Sequence, residues 1–415
     1  MVQEKLVSSE KTKNDNNVYH DEPELRFPEF NDSWKRIKIH EITDSITKGT
    51  TPKNYSEEGI NFIKVENIEN NQIININSYI HVNTHKNELS RSILEKNDLL
   101  FSIAGTLGRT AKVTEDILPA NTNQALAILK INDLNAINVD YVQTRLNCSD
   151  IEKYIFQNLA VGAQPNLNLK QVGDIEIKLP SKSEQDKIQN FINSINKKIE
   201  LLEKKKEISN QTKSSILKSI FDNVSIYSED VKINNLFSIK KGKGLSKEKI
   251  DVNGKYAAIL YGELYTKYSE IIESPISFTD YDEGVPSKKG DILIPGSTTT
   301  KGIDLVTASV VCEDNIQLGG DINILRKKKE LNPIYAATFI KYFMKREILR
   351  LTQGSTIIHL YGKDLKDLEI MLPSLKIQNN VANFIKHYNT KENLYNEEIN
   401  KVKRFKKALL QKMFI

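Results

Sequence analysis

The second half of this 415-residue chain repeats the first at a displacement of 193 residues. Leu179-Pro180-Ser181 returns as Leu372-Pro373-Ser374, Gln185 as Gln378, and Asn190-Phe191-Ile192 as Asn383-Phe384-Ile385. Lys213, Leu217 and Phe221 fall on Lys406, Leu410 and Phe414 without a gap. Upstream, Asp174-Ile175-Glu176-Ile177 matches Asp367-Leu368-Glu369-Ile370, and Lys96-Asn97-Asp98-Leu99-Leu100 lands on Lys289-Gly290-Asp291-Ile292-Leu293. Chance does not align so many residues at one shift. Whatever fold one half adopts, the other must adopt as well.

Each half reads as a globular part followed by a long helix. Short β-type runs such as Asn61-Phe62-Ile63-Lys64-Val65 and Asp291-Ile292-Leu293-Ile294 alternate with turn residues, among them Gly49, Pro52, Gly105, Gly108 and Gly296. A helix-like stretch closes each globular part, from Asp140 to Phe156 and from Pro333 to Leu351. The expected class is α+β, a tandem repeat of two globular domains, each followed by a long helix. Residues 1–22, polar and without apolar period, read as a disordered tail. The first domain then spans 23–180, its helix 181–224, the second domain 225–373 and its helix 374–415.

In both helices apolar residues recur at alternating steps of four and three, the signature of a coiled-coil seam. The first carries Ile188, Ile192, Ile195, Ile199, Leu202, Ile216 and Ile220, with polar Lys206, Ser209 and Lys213 between. The second carries Val381, Ile385, Tyr388, Tyr395, Ile399, Val402, Leu409 and Met413, interrupted by Glu392 and Lys406. Laid parallel, Ile199 would face Glu392 and Lys213 would face Lys406. Laid antiparallel, Ile199 meets Val402, Leu202 meets Ile399, and Lys206 and Lys213 oppose Tyr395 and Tyr388. Buried charge is costly without a polar partner, which favours the antiparallel pair. A helix of roughly 38 residues measures about 57 Å, and an antiparallel pair of them would act as a spacer with a domain at each end.

Composition narrows the function classes. The net charge is only +5, which permits nucleic-acid binding without requiring it. Cys148 and Cys312 lie far apart, so neither a disulfide framework nor a zinc site is expected, and a reducing cytoplasm is the default. No apolar run reaches membrane-spanning length.

Leu179-Pro180-Ser181 with Glu184-Gln185 and Lys187-Ile188 through Phe191 resembles the helix start in specificity subunits of type I restriction-modification enzymes. So do Leu25-Arg26-Phe27-Pro28-Glu29-Phe30 with Trp34, and Gly162-Ala163-Gln164; the resemblance covers nearly the whole chain after residue 23. In the second unit Ile377 replaces the Glu, and no Trp precedes the domain. The resemblance implies a noncatalytic subunit whose two target recognition domains each read half of a bipartite site in double-stranded DNA. It further implies that the helices set the spacing and dock two methyltransferase subunits, and that restriction/translocase subunits complete the assembly. S-adenosylmethionine, ATP and Mg²⁺ would belong to those partners and not to this chain.

Phosphate contacts call for Lys, Arg, hydroxyls or backbone amides, and base contacts for Arg, Lys, Asn or Gln. In the first domain the Gly/Pro loop supplies Lys48, Thr50, Lys53, Asn54 and Tyr55, and a second loop supplies Thr106, Arg109 and Thr110. Gln164 is a weaker candidate. In the second domain Lys241 and Lys243 hold the comparable early position, Thr298, Thr299, Thr300 and Lys301 follow the matched strand, and Ser355 lies near the domain end. The loops after Asp98 and Asp291 correspond in the repeat but differ in sequence, as two different half-sites would require.

Enzyme motifs fare poorly. Asn332-Pro333-Ile334-Tyr335 lacks the second proline of an amino-methyltransferase motif and reads as a capped helix start. Asp174, Glu176 and Lys178 have the residue types of a metal-dependent nuclease, but the repeat counterpart ends in Met371. The rival reading from another class is a two-headed adaptor that grips proteins, with the coiled coil as spacer.

Overall fold

The computed structural model describes residues 7–8, 22–159 and 165–414. The chain divides into two compact units, residues 1–200 with 400–415, and residues 201–399. Each unit thus contains one globular domain, part of its own long helix and part of the other. Of the expected tail, residues 1–6 and 9–21 lie outside the described residues, and Val7–Ser8 pair antiparallel with Leu25–Arg26.

In unit 1 the main sheet runs in the order Thr110–Lys112, Leu99–Ser102, Leu126–Ile131, Thr43–Lys48, all antiparallel. Unit 2 builds the same four strands as Ser309–Val311, Ile292–Pro295, Ile322–Lys327 and Phe237–Lys241 and adds Ile271–Ile272 at one edge. A smaller sheet repeats as well. Ile60–Ile63 pairs parallel with Ala120–Thr122 and antiparallel with Tyr79–Ile80. Tyr256–Ile259 does the same with Gln317–Leu318 and Ser277–Thr279. The strands are short and rich in Ile and Leu, and those at the sheet centre are buried throughout, as in Leu99–Ser102 and Ile292–Pro295.

The duplication extends to single hydrogen bonds. Lys35–Lys38 pairs with Glu176–Leu179 as Glu229–Lys232 pairs with Glu369–Leu372. The Gln185 amide accepts from the Asn138 N–H at 2.8 Å and donates to the Pro180 carbonyl at 2.9 Å. Gln378 treats Asn332 and Pro373 the same way, at 2.9 and 2.8 Å. Tyr141 donates to the Lys178 carbonyl, and Tyr335 to that of Met371. The strong Gln matches in the repeat thus mark buried amides that tie each helix start to its domain.

The long helices span Lys182–Val224 and Leu375–Phe414. In unit 1 Ile188, Ile192 and Ile195, at the start of the first, share a core with Leu409, Met413 and Phe414 at the end of the second, and Ile199 and Val402 pack against it. In unit 2 the end of the first helix, Leu217 and Phe221, is buried with Val381 and Ile385 at the start of the second. The pairing is therefore antiparallel. Leu202 and Ile399 are both buried, and Ile220, Tyr388 and Tyr395 are half-buried.

Two details of the expected seam are corrected. Ile216 is exposed; the helix turns Leu217 and Phe221 inward instead, because the partner surface there is the second domain's core and not only a helix. The lysines are received by amides and carboxylates, not by tyrosine rings of the facing helix. Lys206 Nζ lies 2.8 Å from Asn396 Oδ1 and 3.5 Å from Glu392. Lys213 Nζ lies 3.0 Å from Asn389 Oδ1 and 2.9 Å from Glu270, whose side chain is almost wholly buried. Amide and carboxylate oxygens accept the ammonium protons that a ring face cannot take up as well.

Candidate nucleic-acid interface

In unit 1 the ends of two strands and the start of a third meet at one edge of the main sheet. Lys48, last in its strand, stands opposite Ala127, and Ser102, last in its own, stands opposite Leu126. The turns that follow must lie side by side. The first of them presses on the segment that leads into the third strand: a Cβ on Gly49 would stand 2.1 Å from the Thr122 carbonyl oxygen. Lys48, Thr50, Lys53 and Asn54 are exposed along this rim, as is Thr106 in the neighbouring turn. Tyr55 is exposed too, edge-on to Phe62, with the Lys64 ammonium 4.7 Å above its ring.

Unit 2 forms the same rim with different chemistry. Gly242 stands where Gly49 does, and its Cβ would meet the Gly319 oxygen at 1.9 Å. Lys241 and Lys243 are exposed beside it. Lys241 Nζ is 3.0 Å from Asp321, which also accepts from Ser297 Oγ at 3.1 Å. Burial alone would raise the Asp321 carboxyl, but these two donors hold it below the usual aspartate range. Ser355 is exposed on the turn between Gln353 and His359, whose backbones exchange two hydrogen bonds.

Several candidates sit elsewhere than a contact role requires. Thr110 is fully buried, its hydroxyl accepting from Asn147 Nδ2 at 2.6 Å. Thr298 is fully buried in a two-residue strand against Ile358–His359. Asp304 accepts from the hydroxyls of Thr298 and Thr300, which organises the turn and leaves Thr299 and Lys301 at the surface. Arg109 points back into its own domain and donates to the carbonyls of Ile68 at 2.9 Å and Val65 at 3.3 Å. Gln164, with Gly162 and Ala163, lies outside the described residues. Sequence reading missed Asp321 and Asp304 because a carboxylate is an unexpected neighbour for a phosphate; their role in ordering donor loops needs the folded contacts.

The enzyme motifs resolve into structure. Asp174 pairs with Lys170 at 3.2 Å and Lys38 at 3.4 Å, and Glu176 with Arg36 at 3.3 Å, along a two-stranded ladder. Asn332 Oδ1 caps its helix by accepting from Ile334 and Tyr335 N–H, with Pro333 at the first position. Among the described residues no three His, Cys, Asp or Glu side chains converge as a metal site, and no helix is long and apolar enough to cross a membrane. What the two rims offer is donor-rich loops on a common scaffold, suited to holding a polyanion and reading hydrogen-bonding edges.

Comparison with known proteins gives a consistent result. The family described as type I restriction modification DNA specificity domain matches residues 31–210 and again residues 227–404. A protein of Methanocaldococcus jannaschii, assigned as the specificity subunit of the type I restriction enzyme MjaX, is 23% identical over 408 residues, covering 92% of this chain and 93% of its own. The crystal structure of a type I restriction-modification system S subunit from M. genitalium superposes with a TM-score of 0.57 at 17% identity, covering 95% of this chain and 99% of that one. A chain from a structure of type I restriction-modification complex assembly gives 0.55 at 14% identity, with 92% and 97% covered.

Proposed function

The chain belongs to the type I restriction-modification DNA specificity family, carrying that family's domain twice, and from this premise we propose that it is the noncatalytic reader of its complex. Each target recognition domain reads one half of a bipartite site in duplex DNA. The long helices fix the number of unread base pairs between the halves and seat two methyltransferase subunits. S-adenosylmethionine, ATP and Mg²⁺ serve the methyltransferase and translocase partners, and the assembly works in the cytoplasm.

The observation that carries this reading is the contrast inside the repeat. Contacts that bind helix to domain recur almost atom for atom, such as Gln185 with Pro180 and Gln378 with Pro373. The rims differ: Lys48, Thr50 and Lys53 in one unit, Lys241 paired with Asp321 in the other. A scaffold held constant under variable polar loops is what two recognition specificities require. The test is to map methylated bases in DNA from a host carrying this chain and its methyltransferase. A bipartite motif with a fixed gap is expected, and shortening both helices by one heptad should change or abolish the gap. Duplex binding should also weaken steeply with salt. If the complex binds no duplex at any salt concentration, the adaptor reading takes its place.

A further inference from the structure

The two units differ between equivalent strands of the small sheet. Residues 64–78 in unit 1 and 260–276 in unit 2 leave their strands in the same way: Lys64 N–H donates to Asn67 Oδ1 and Leu260 N–H to Glu263 Oε2, both at 2.9 Å. Beyond that point they diverge. Unit 2 forms a helix, Tyr261–Thr266, and unit 1 a tight β-ribbon, Ile68–Glu69 paired with Gln72–Ile73. Asn70 and Asn71 form its two-residue turn with φ of 51° and 64°, the left-handed pair that a right-twisted hairpin needs and that Asn tolerates better than most residues.

We propose that this ribbon is the base-reading finger of the first recognition domain, with Asn70, Asn71 and Gln72 as its contacts; the inference rests on the DNA-reading function above. Three observations carry it. Glu69, Asn70, Asn71 and Gln72 are all exposed. The tip contains no Lys or Arg, so it has nothing specialised for phosphate, whereas Asn and Gln amides match the paired donor and acceptor of adenine and Glu can accept from cytosine. The ribbon is also braced from both sides. Arg109, on the turn that forms the exposed rim, donates to the Ile68 and Val65 carbonyls at its base. Gln143 Nε2 donates to the Asn71 carbonyl at 2.8 Å. A two-stranded ribbon is narrow enough to enter the major groove, and bracing limits the entropy lost when it binds. Arg109 is then a positioning residue.

The test uses the complete complex with its methyltransferase. Asn70→Gly, Asn71→Gly and Gln72→Ala are combined, since glycine accepts both positive φ values and keeps the turn. Selectivity at one or more base pairs of one half-site should fall by roughly 5- to 150-fold, the worth of a lost bidentate contact. That half is the one that changes when residues 23–180 are exchanged for another domain. The other half, and assembly with the methyltransferase, should be unchanged. Arg109→Ala should loosen the same half without altering the salt dependence of binding, whereas loss of a phosphate contact would flatten the slope by about 0.9. An unaltered motif, or loss of methyltransferase assembly in the triple variant, overturns the proposal. Absence of a bipartite motif with the unmodified chain would instead count against the function it rests on.

Discussion

Residues 64–78 and 260–276 connect equivalent strands, yet each is fastened to a different part of its unit. In unit 2 the segment carries Glu270, which accepts from Lys213 of the long helix at 2.9 Å, Lys341 at 3.0 Å and the Tyr342 hydroxyl at 2.6 Å. In unit 1 the segment is held by Gln143 of the domain's own helix, and Lys406, the repeat partner of Lys213, is half-buried without an ion pair among the described residues. Burial pushes the Lys406 ammonium below its ordinary range. One segment is locked to a long helix, and the other forms an exposed ribbon held by its own domain. The repeat keeps its scaffold where helix and domain pack and diverges in the segments between the small-sheet strands.

Removing the lock is the most damaging change. Glu270→Leu strands Lys213 among buried groups and should cost unit 2 about 3–5 kcal/mol, read by denaturant unfolding. Lys406→Met should cost nothing or stabilise slightly, since it removes a desolvated charge that has no ion-pair partner among the described residues. Equal effects at the two positions would erase the contrast. The sign with pH also follows. Burial alone would raise the Glu270 carboxyl, but Lys341, Lys213 and the Tyr342 hydroxyl hold it well below the ordinary glutamate range. Its contribution is therefore present in full at neutral pH and is lost progressively as pH falls from the ordinary glutamate range into strong acid.

The helix ends give the next largest effect. Leu217 is fully buried in the second domain's core while its counterpart Leu410 is half-buried. Leu217→Ala should cost about 2–5 kcal/mol, Leu410→Ala less, and Ile216→Ala, on the exposed face, under about 0.5 kcal/mol.

A third pair separates the main sheets. Asp291 is clamped by Arg326 Nε and Nη2 at 2.9 and 2.6 Å, whereas Asp98, at the matching place, has Lys130 no nearer than 3.7 Å. Burial raises Asp98 to about 6 against the weaker pull of the Glu95 N–H and Lys130. A raised carboxyl detracts from stability while it is charged, so unit 1 should gain roughly 2–3 kcal/mol as pH falls from 6 toward 4. Asp98→Asn should abolish that window in a pH series of unfolding curves, and Lys130→Arg should shift it downward. Smallest and most alike are Gln185→Ala and Gln378→Ala, each about 1–3 kcal/mol from stranded buried partners; unequal losses, measured by thermal unfolding, would mean that the shared scaffold is less shared than its hydrogen bonds indicate.

The scaffold was legible in the sequence because its rules are local. A fixed shift of 193 residues, seams at steps of four and three, and an Asn-Pro helix start each depend on neighbours in the chain. The antiparallel pairing followed from asking where charge could be buried. Three other features were not legible. Lys213 is received by Glu270, 57 positions away in sequence on a divergent segment. Ile216 and Leu217 are adjacent apolar residues, and only the packed domain decides which turns inward. Thr110, Thr298 and Arg109 have the right chemistry for DNA but spend it inside their own domain. Residue type marks what a side chain can bind, while burial decides what it does bind.

The proposed function requires that two rims on one scaffold read two different sequences. Its most direct test is to exchange residues 23–180 for the corresponding domain of another family member and map methylated bases in the host genome. A bipartite motif is expected in which one half changes while the other half and the gap persist. A motif that changes in both halves, or in neither, would contradict it.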